Sequence, residues 1–207
     1  IRAAANRDFK SSDFRLGLGI VLGTVPIVVV GLFVKLFVPG YDESIVRSTG
    51  AIAITSIVMA VLLGIAEFIG SRRRGFSNLG LGDGIGVGLA QTLAIIPGVS
   101  RSGSTLTAAL FLGLKRETAA RFSFLLGMPA ILLAGLVSLV DVIGAESTVG
   151  IVPLIGGLLT ALVSSYLAIA WLIEFLKRHS TWVFVWYRLA FGAVLLIALA
   201  TGKLDNI

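Results

Sequence analysis

Charge along this chain is confined to short clusters that separate long apolar blocks. Uncharged runs cover residues 16–34, 48–66, 122–140 and 147–173, and a fifth, 180–202, is interrupted by Arg188 alone. A helix needs about 20 apolar residues to cross the ~30 Å hydrocarbon core, so each run predicts a transmembrane span. The five spans are expected at about 16–38, 49–70, 120–143, 149–176 and 182–201. A sixth apolar run, 84–114, is 31 residues long and carries one charge, Arg101, near its centre.

The sixth run differs from the others in having Pro97-Gly98 at its middle, where a helix would break. Its two halves, 84–96 and 105–114, would form helices of ~19 Å and ~15 Å, each about half a bilayer. The charge clusters decide how it runs. Arg2, Arg7, Lys10 and Arg15 precede the first span, and Arg72-Arg73-Arg74 follow the second. Lys115, Arg116 and Arg121 follow the sixth run, and Lys177-Arg178-His179 follow two further spans. The intervening loops hold Asp42, Glu43 and Arg47, then Asp141 and Glu146. A single crossing by 84–114 would put the first two basic groups opposite the last two. A hairpin that dips in and returns puts all four on one side, which the positive-inside bias identifies as cytoplasmic. The expected fold is therefore an all-α polytopic membrane protein with five spans and one re-entrant helical hairpin at 84–114. The whole chain, 1–207, reads as one membrane domain. Residues 1–72 look like an incomplete first repeat and 83–203 like a second repeat containing the hairpin, as in inverted-repeat folds.

Composition agrees: 57% of residues are hydrophobic and 14% charged, and mean hydropathy is +1.01, whereas a soluble domain carries about 25% charged residues. The net charge of +6 does not indicate nucleic acid, because the basic residues sit in short loops between apolar runs. With no cysteine and one histidine, His179, thiolate metal sites and a His-rich zinc site are excluded within this sequence.

The hairpin tip carries the candidate chemistry. A helix starting near Ser102 to Thr105 would present unpaired N–H groups and a partial positive charge there. Arg101 adds a forked donor that matches phosphate oxygens. Ser100, Ser102, Ser104 and Thr105 add hydroxyls, and Gly98 and Gly103 allow close backbone approach. The set suits a phosphate or diphosphate. The competing reading is a Ser/Gly turn whose arginine pairs with a buried carboxylate, but charges at membrane depth are usually functional. Gln91, in the first half-helix, is either a packing hydrogen bond or part of the site. Arg188 either snorkels toward the interface beside Trp182 and Trp186 or pairs with Glu67 or Glu174.

The stretch from Gln91 to Thr105, QTLAIIPGVSRSGST, resembles the second signature of the undecaprenyl-diphosphate phosphatase family, also called the bacitracin-resistance proteins. Pro97, Gly98, Ser100, Arg101, Ser102, Gly103 and Thr105 match its Pro-Gly-x-Ser-Arg-Ser-Gly-x-Thr pattern. Phe122 to Leu126 with Pro129 resemble the span that follows, and Tyr187-Arg188 the final one. The resemblance implies a bacterial plasma-membrane enzyme that hydrolyses undecaprenyl diphosphate to the monophosphate and phosphate. That reaction recycles the lipid carrier of peptidoglycan synthesis and confers bacitracin resistance. It also implies six spans, two re-entrant hairpins and a divalent cation, Mg²⁺ or Ca²⁺.

One signature of that family, a Glu-rich segment followed by a Pro-Val-Ser-Ser-Thr-Gly-His type loop, is absent from this sequence. The expectation is that an upstream hairpin and span carry it, together with the metal carboxylates and the attacking group, and that the chain as given is inactive without them. No metal ligand is assigned here. Arg101, Ser100, Ser102 and Thr105 are the candidate catalytic residues, and Gln91, Gly98, Gly103 and Arg188 the candidate substrate-binding ones. The expected partners are a polyprenyl diphosphate, the bilayer and the missing N-terminal segment of the same fold. The alternative function is an inverted-repeat transporter or flippase, because broken helices meeting at a repeat interface also build transport sites.

Overall fold

A computed structural model describes residues 12–144 and 151–206. The basic residues Arg2, Arg7 and Lys10 and the acidic Glu146 lie outside the described residues. Seven α-helices and no strand occur among the described residues: α1 Ser12–Phe37, α2 Thr49–Ile69, α3 Leu81–Gln91, α4 Arg101–Phe111, α5 Arg116–Gly144, α6 Ile151–Arg178 and α7 Trp182–Ala200. Five of these, α1, α2, α5, α6 and α7, are long and apolar enough to cross a membrane. The pair α3 and α4 is too short to do so and forms the sixth element.

The mouth of that pair is closed. Arg74, ahead of α3, pairs with Leu114, beyond α4, through an isolated β-bridge. The Arg74 N–H donates to the Gly113 carbonyl at 3.0 Å, and the Lys115 N–H donates to the Arg74 carbonyl at 2.9 Å. The chain therefore leaves the hairpin where it went in, and the re-entrant reading of charge parity is correct. Both half-helices differ in extent from expectation. The first begins at Leu81, before the first uncharged residue, because Asp83 caps it by accepting from the Gly80 N–H at 2.9 Å. It tightens into a 3₁₀ turn over Thr92–Ile95 before the break. The second begins at Arg101 rather than near Ser102–Thr105, because Ser100 is the N-cap.

Glycine sets how closely the hairpin packs. A Cβ on Gly84 would overlap the backbone of Gly19, and one on Gly88 that of Gly23, so α3 lies directly against α1. Between membrane helices, where lipid is as apolar as leucine, such small-residue contacts supply the van der Waals packing that holds helices together. The hairpin also packs on α2 and α5, and α2 packs on α7. The buried core lies among these elements: Leu63 of α2, Val87 of α3, Leu110 of α4, Phe122 and Leu126 of α5, and Val185 of α7.

The basic end is locked by one carboxylate. Glu67, 2% exposed, accepts from Arg72 at 3.0 Å, from Arg116 through two nitrogens, and from the Thr181 hydroxyl at 2.8 Å. These partners come from the loop after α2, the start of α5 and the residue before α7. The loops at 71–74, 115–121 and 177–181 consequently gather at one end. Arg74 makes a second lock, donating two hydrogen bonds of 2.7 Å to Asp83 and others to the carbonyls of Leu112 and Asn78. The Asp83 bonds hold the Arg74 proton more tightly than usual.

Candidate functional site

The turn between α3 and α4 is a strained, non-helical segment. Gly98 has φ +84, and a Cβ there would meet the backbone of Ile52 on α2, so the position needs glycine both for conformation and for space. Ser100 also has positive φ, 65, which is uncommon for a residue with a side chain. Its hydroxyl accepts from the Gly103 N–H at 3.2 Å and its carbonyl from the Ser104 N–H at 3.0 Å. With those two amides satisfied, the first-turn amides of Arg101 and Ser102 remain for an incoming anion.

Three of the turn's carbonyls are held from outside the hairpin. The Tyr41 hydroxyl donates to the Ile95 carbonyl at 2.8 Å, the Thr55 hydroxyl lies 2.8 Å from the Pro97 carbonyl, and Arg188 Nη2 donates to the Gly98 carbonyl at 2.6 Å. Irregular backbone at membrane depth needs such partners. Arg188 therefore neither snorkels to the interface nor pairs with Glu67 or Glu174, both alternatives being displaced by its reach to the turn. Its Nε also donates, at 3.4 Å, to the Ser56 carbonyl. Glu174 instead pairs with Lys177 and Arg178 one turn further along α6. Gly103 lets Arg188 come close, since a Cβ there would lie 3.1 Å from Nη1. Sequence reasoning missed Tyr41 and Thr55. Thr55 was discoverable as one of two adjacent hydroxyls, with Ser56, inside an apolar span, while nothing in the loop around Tyr41 marked it.

Arg101 makes no ion pair with any carboxylate among the described residues, and its buried Nη1 has no hydrogen-bond partner. No buried carboxylate among the described residues pairs with it. The guanidinium lies over Gly127 of α5, where a Cβ would overlap it. Gly127 is the residue that makes room for the arginine, a role the uniform apolar run around it did not disclose.

The expected residues distribute around two openings. Ser100, Ser102, Gly103 and Arg188 line a pocket of about 180 Å³. Arg101 lines a neighbouring cleft of about 840 Å³ between α5 and α6, and Phe124 faces both. Thr105 is fully buried. Its hydroxyl bonds to the Arg101 carbonyl at 2.9 Å and to the Ser123 hydroxyl on α5, so it fixes the first turn of α4 from behind. Gln91 is also fully buried, and neither end of its amide has a partner. The described residues contain no group of three or more Asp, Glu or His that could hold a metal ion. The two buried carboxylates, Glu67 and Asp83, are committed to arginines. A divalent cation does not fit these residues.

Five apolar spans around a re-entrant hairpin define a polytopic membrane protein, and the arginine at the hairpin's tip has no counter-ion among the described residues. Residues 1–194 match the family described as bacitracin resistance protein BacA, and the chain belongs to that family. It is 59% identical over 206 residues to a protein from Nostoc sp. named undecaprenyl-diphosphatase, covering 99% of this chain and 64% of that one. A Synechococcus elongatus protein of the same name is 56% identical over 210 residues, covering 100% of this chain and 72% of its own. A third, from Synechocystis sp., is 58% identical over 98% of this chain and 62% of its own length. The chain thus spans a little under two thirds of the length of the Nostoc and Synechocystis relatives.

Proposed function

We propose that this protein hydrolyses undecaprenyl diphosphate to undecaprenyl phosphate and inorganic phosphate in a bacterial plasma membrane, with basic loops 71–74, 115–121 and 177–179 cytoplasmic. The observation that carries this reading is Arg101, a half-buried arginine whose buried Nη1 has no partner and which pairs with no carboxylate among the described residues, in the first turn of α4. The name shared by relatives at 56–59% identity supports it.

Hydrolysis breaks the bond from the bridging oxygen to the terminal phosphorus while an attacking oxygen bonds to that phosphorus from the opposite side. The protein's task is then positioning and charge stabilisation. Arg101 and the free amides of α4 clamp the diphosphate, and the Ser100 and Ser102 hydroxyls orient its oxygens. Gly103 lines the opening where it would sit, and Gly98 lets the turn pack against α2. Arg188 holds the turn through Gly98, Thr105 holds the first turn of α4, and Gln91 offers its unpaired amide from α3. In this reading a divalent cation, Mg²⁺ or Ca²⁺, would take its carboxylates from outside the described residues. Residues 1–72 and 83–203 would belong to two inverted repeats.

The test is phosphate release from detergent-dispersed undecaprenyl diphosphate by the product of the complete open reading frame that contains this sequence. The proposal expects turnover that depends on Arg101. Binding of the lipid without release of phosphate would refute it.

A further inference from the structure

At the basic end, a pocket of about 360 Å³ is lined by Arg72, Lys115, Arg116, Glu117, Leu176 and Lys177. Two of its four cations, Arg72 and Arg116, share Glu67 behind them and remain about a third exposed, at 34% and 30%. Lys177 pairs with Glu174 at 2.6 Å, and the exposed Lys115 side chain has no carboxylate partner among the described residues. With Glu67 and Glu174 behind three of the four cations and Glu117 in the lining, the excess positive charge centres on Lys115, which makes an anion site. Lys177 also lines the cleft between α5 and α6, which continues inward over Leu125, Met128 and Ile131 of α5 and Ile169 and Ile173 of α6. A charged mouth therefore opens directly into an apolar groove on the lipid-facing side of two spans.

We propose that this composite surface binds one anionic glycerophospholipid from the leaflet at the basic end. Its phosphate sits against Lys115 and Lys177, and a hydroxyl-bearing headgroup donates to Glu117. An acyl chain lies in the Lys177 end of the groove. Basic pockets between helices on that face of a membrane are suited to acidic headgroups. Zwitterionic lipids are disfavoured, because a choline cation would face Arg72 and Arg116. The groove is the cleft that Arg101 also lines; the lipid occupies its Lys177 end, and its binding does not depend on hydrolysis.

The experiment is native mass spectrometry of the complete gene product in detergent, titrated with dioleoyl-phosphatidylglycerol. Dioleoyl-phosphatidylcholine and soluble glycerol phosphate form the comparison arms. One phosphatidylglycerol per protein is expected to be retained, with neither comparison compound bound comparably. Lys115→Gln combined with Lys177→Gln should weaken retention about 30-fold, given the usual contribution of each basic residue at a membrane surface. Lys203→Gln, the same charge change beyond α7 at the opposite end, should leave it unchanged. Equal retention by the double variant overturns the proposal, as does equal retention of phosphatidylcholine. Binding of glycerol phosphate as tightly as the lipid reduces the site to a free-phosphate pocket. Absence of any retained lipid means that the groove is closed by the protein itself, and the proposal is wrong.

Discussion

At the scale of single residues, the chemistry rests on two that lack what their neighbours have. Arg101 lacks a counter-ion among the described residues, and Gly127 lacks the side chain that would push that arginine aside. Arg101→Ala should slow phosphate release by on the order of 10²–10³, the usual loss when one charge-stabilising donor is removed. Arg101→Lys should recover little, because an ammonium keeps the charge but not the fork. Gly127→Ala is the sharper case. Alanine improves a helix by about 1 kcal/mol over glycine, yet here its Cβ displaces the guanidinium. Thermal stability should hold or rise while turnover falls about 10²-fold, the scale expected of a small misplacement. Both quantities are measured on the same purified variant; unchanged turnover in Gly127→Ala would mean that the observed arginine position is not the working one.

At the scale of elements, the boundaries that the sequence misjudged have a common physical origin. Asp83 looked like the end of a loop because it is charged, but it caps α3 and binds Arg74, so the helix starts at Leu81. Arg188 reads from the sequence either as an interfacial residue beside Trp182 and Trp186 or as a partner of Glu67 or Glu174, but the open carbonyl of Gly98 lay within its reach. Apolar periodicity locates what lipid must cover, and it is silent about which polar atom satisfies which. The hairpin and the spans were legible for the first reason, and Tyr41, Thr55 and Gly127 were not for the second. The α1–α3 contact gives a direct test of packing. Gly88→Ala should lower stability by on the order of 1–3 kcal/mol, because the added methyl overlaps the Gly23 backbone and a close-packed interface resists overfilling. Gly31→Ala, on the same α1 but with nothing within 4 Å, should be neutral or slightly stabilising. Thermal unfolding in one detergent compares the two. Glu67→Gln belongs to the same scale, because it loosens three segments at once. About 2 kcal/mol should be lost, less than for a fully buried pair, since Arg72 and Arg116 can be rehydrated.

At the scale of the whole molecule, charge parity and hairpin closure give a topology that labelling can read without background, because the sequence has no cysteine. Cysteines introduced at the exposed Ser71, Lys115 and His179 should react with a membrane-impermeant maleimide from one side. Cysteines at the exposed Glu43 and Lys203 should react from the other. Ser71 and Lys115 on opposite sides would end the re-entrant reading.

The way the turn is held also sets an order in time. Tyr41 and Thr55 precede the hairpin in the chain, so two of its three supports exist before it is made. The third, Arg188, lies 90 residues after Gly98 and is synthesised roughly 5–18 s later at ~5–20 residues per second. During that interval the Gly98 carbonyl waits at membrane depth without its guanidinium, and the turn is unfinished. A nascent chain arrested just short of Arg188 should therefore leave the turn open to protease or solvent exchange, and one arrested after α7 should not. The turn is completed when synthesis reaches a distant span, which makes its maturation a report that α7 has been inserted.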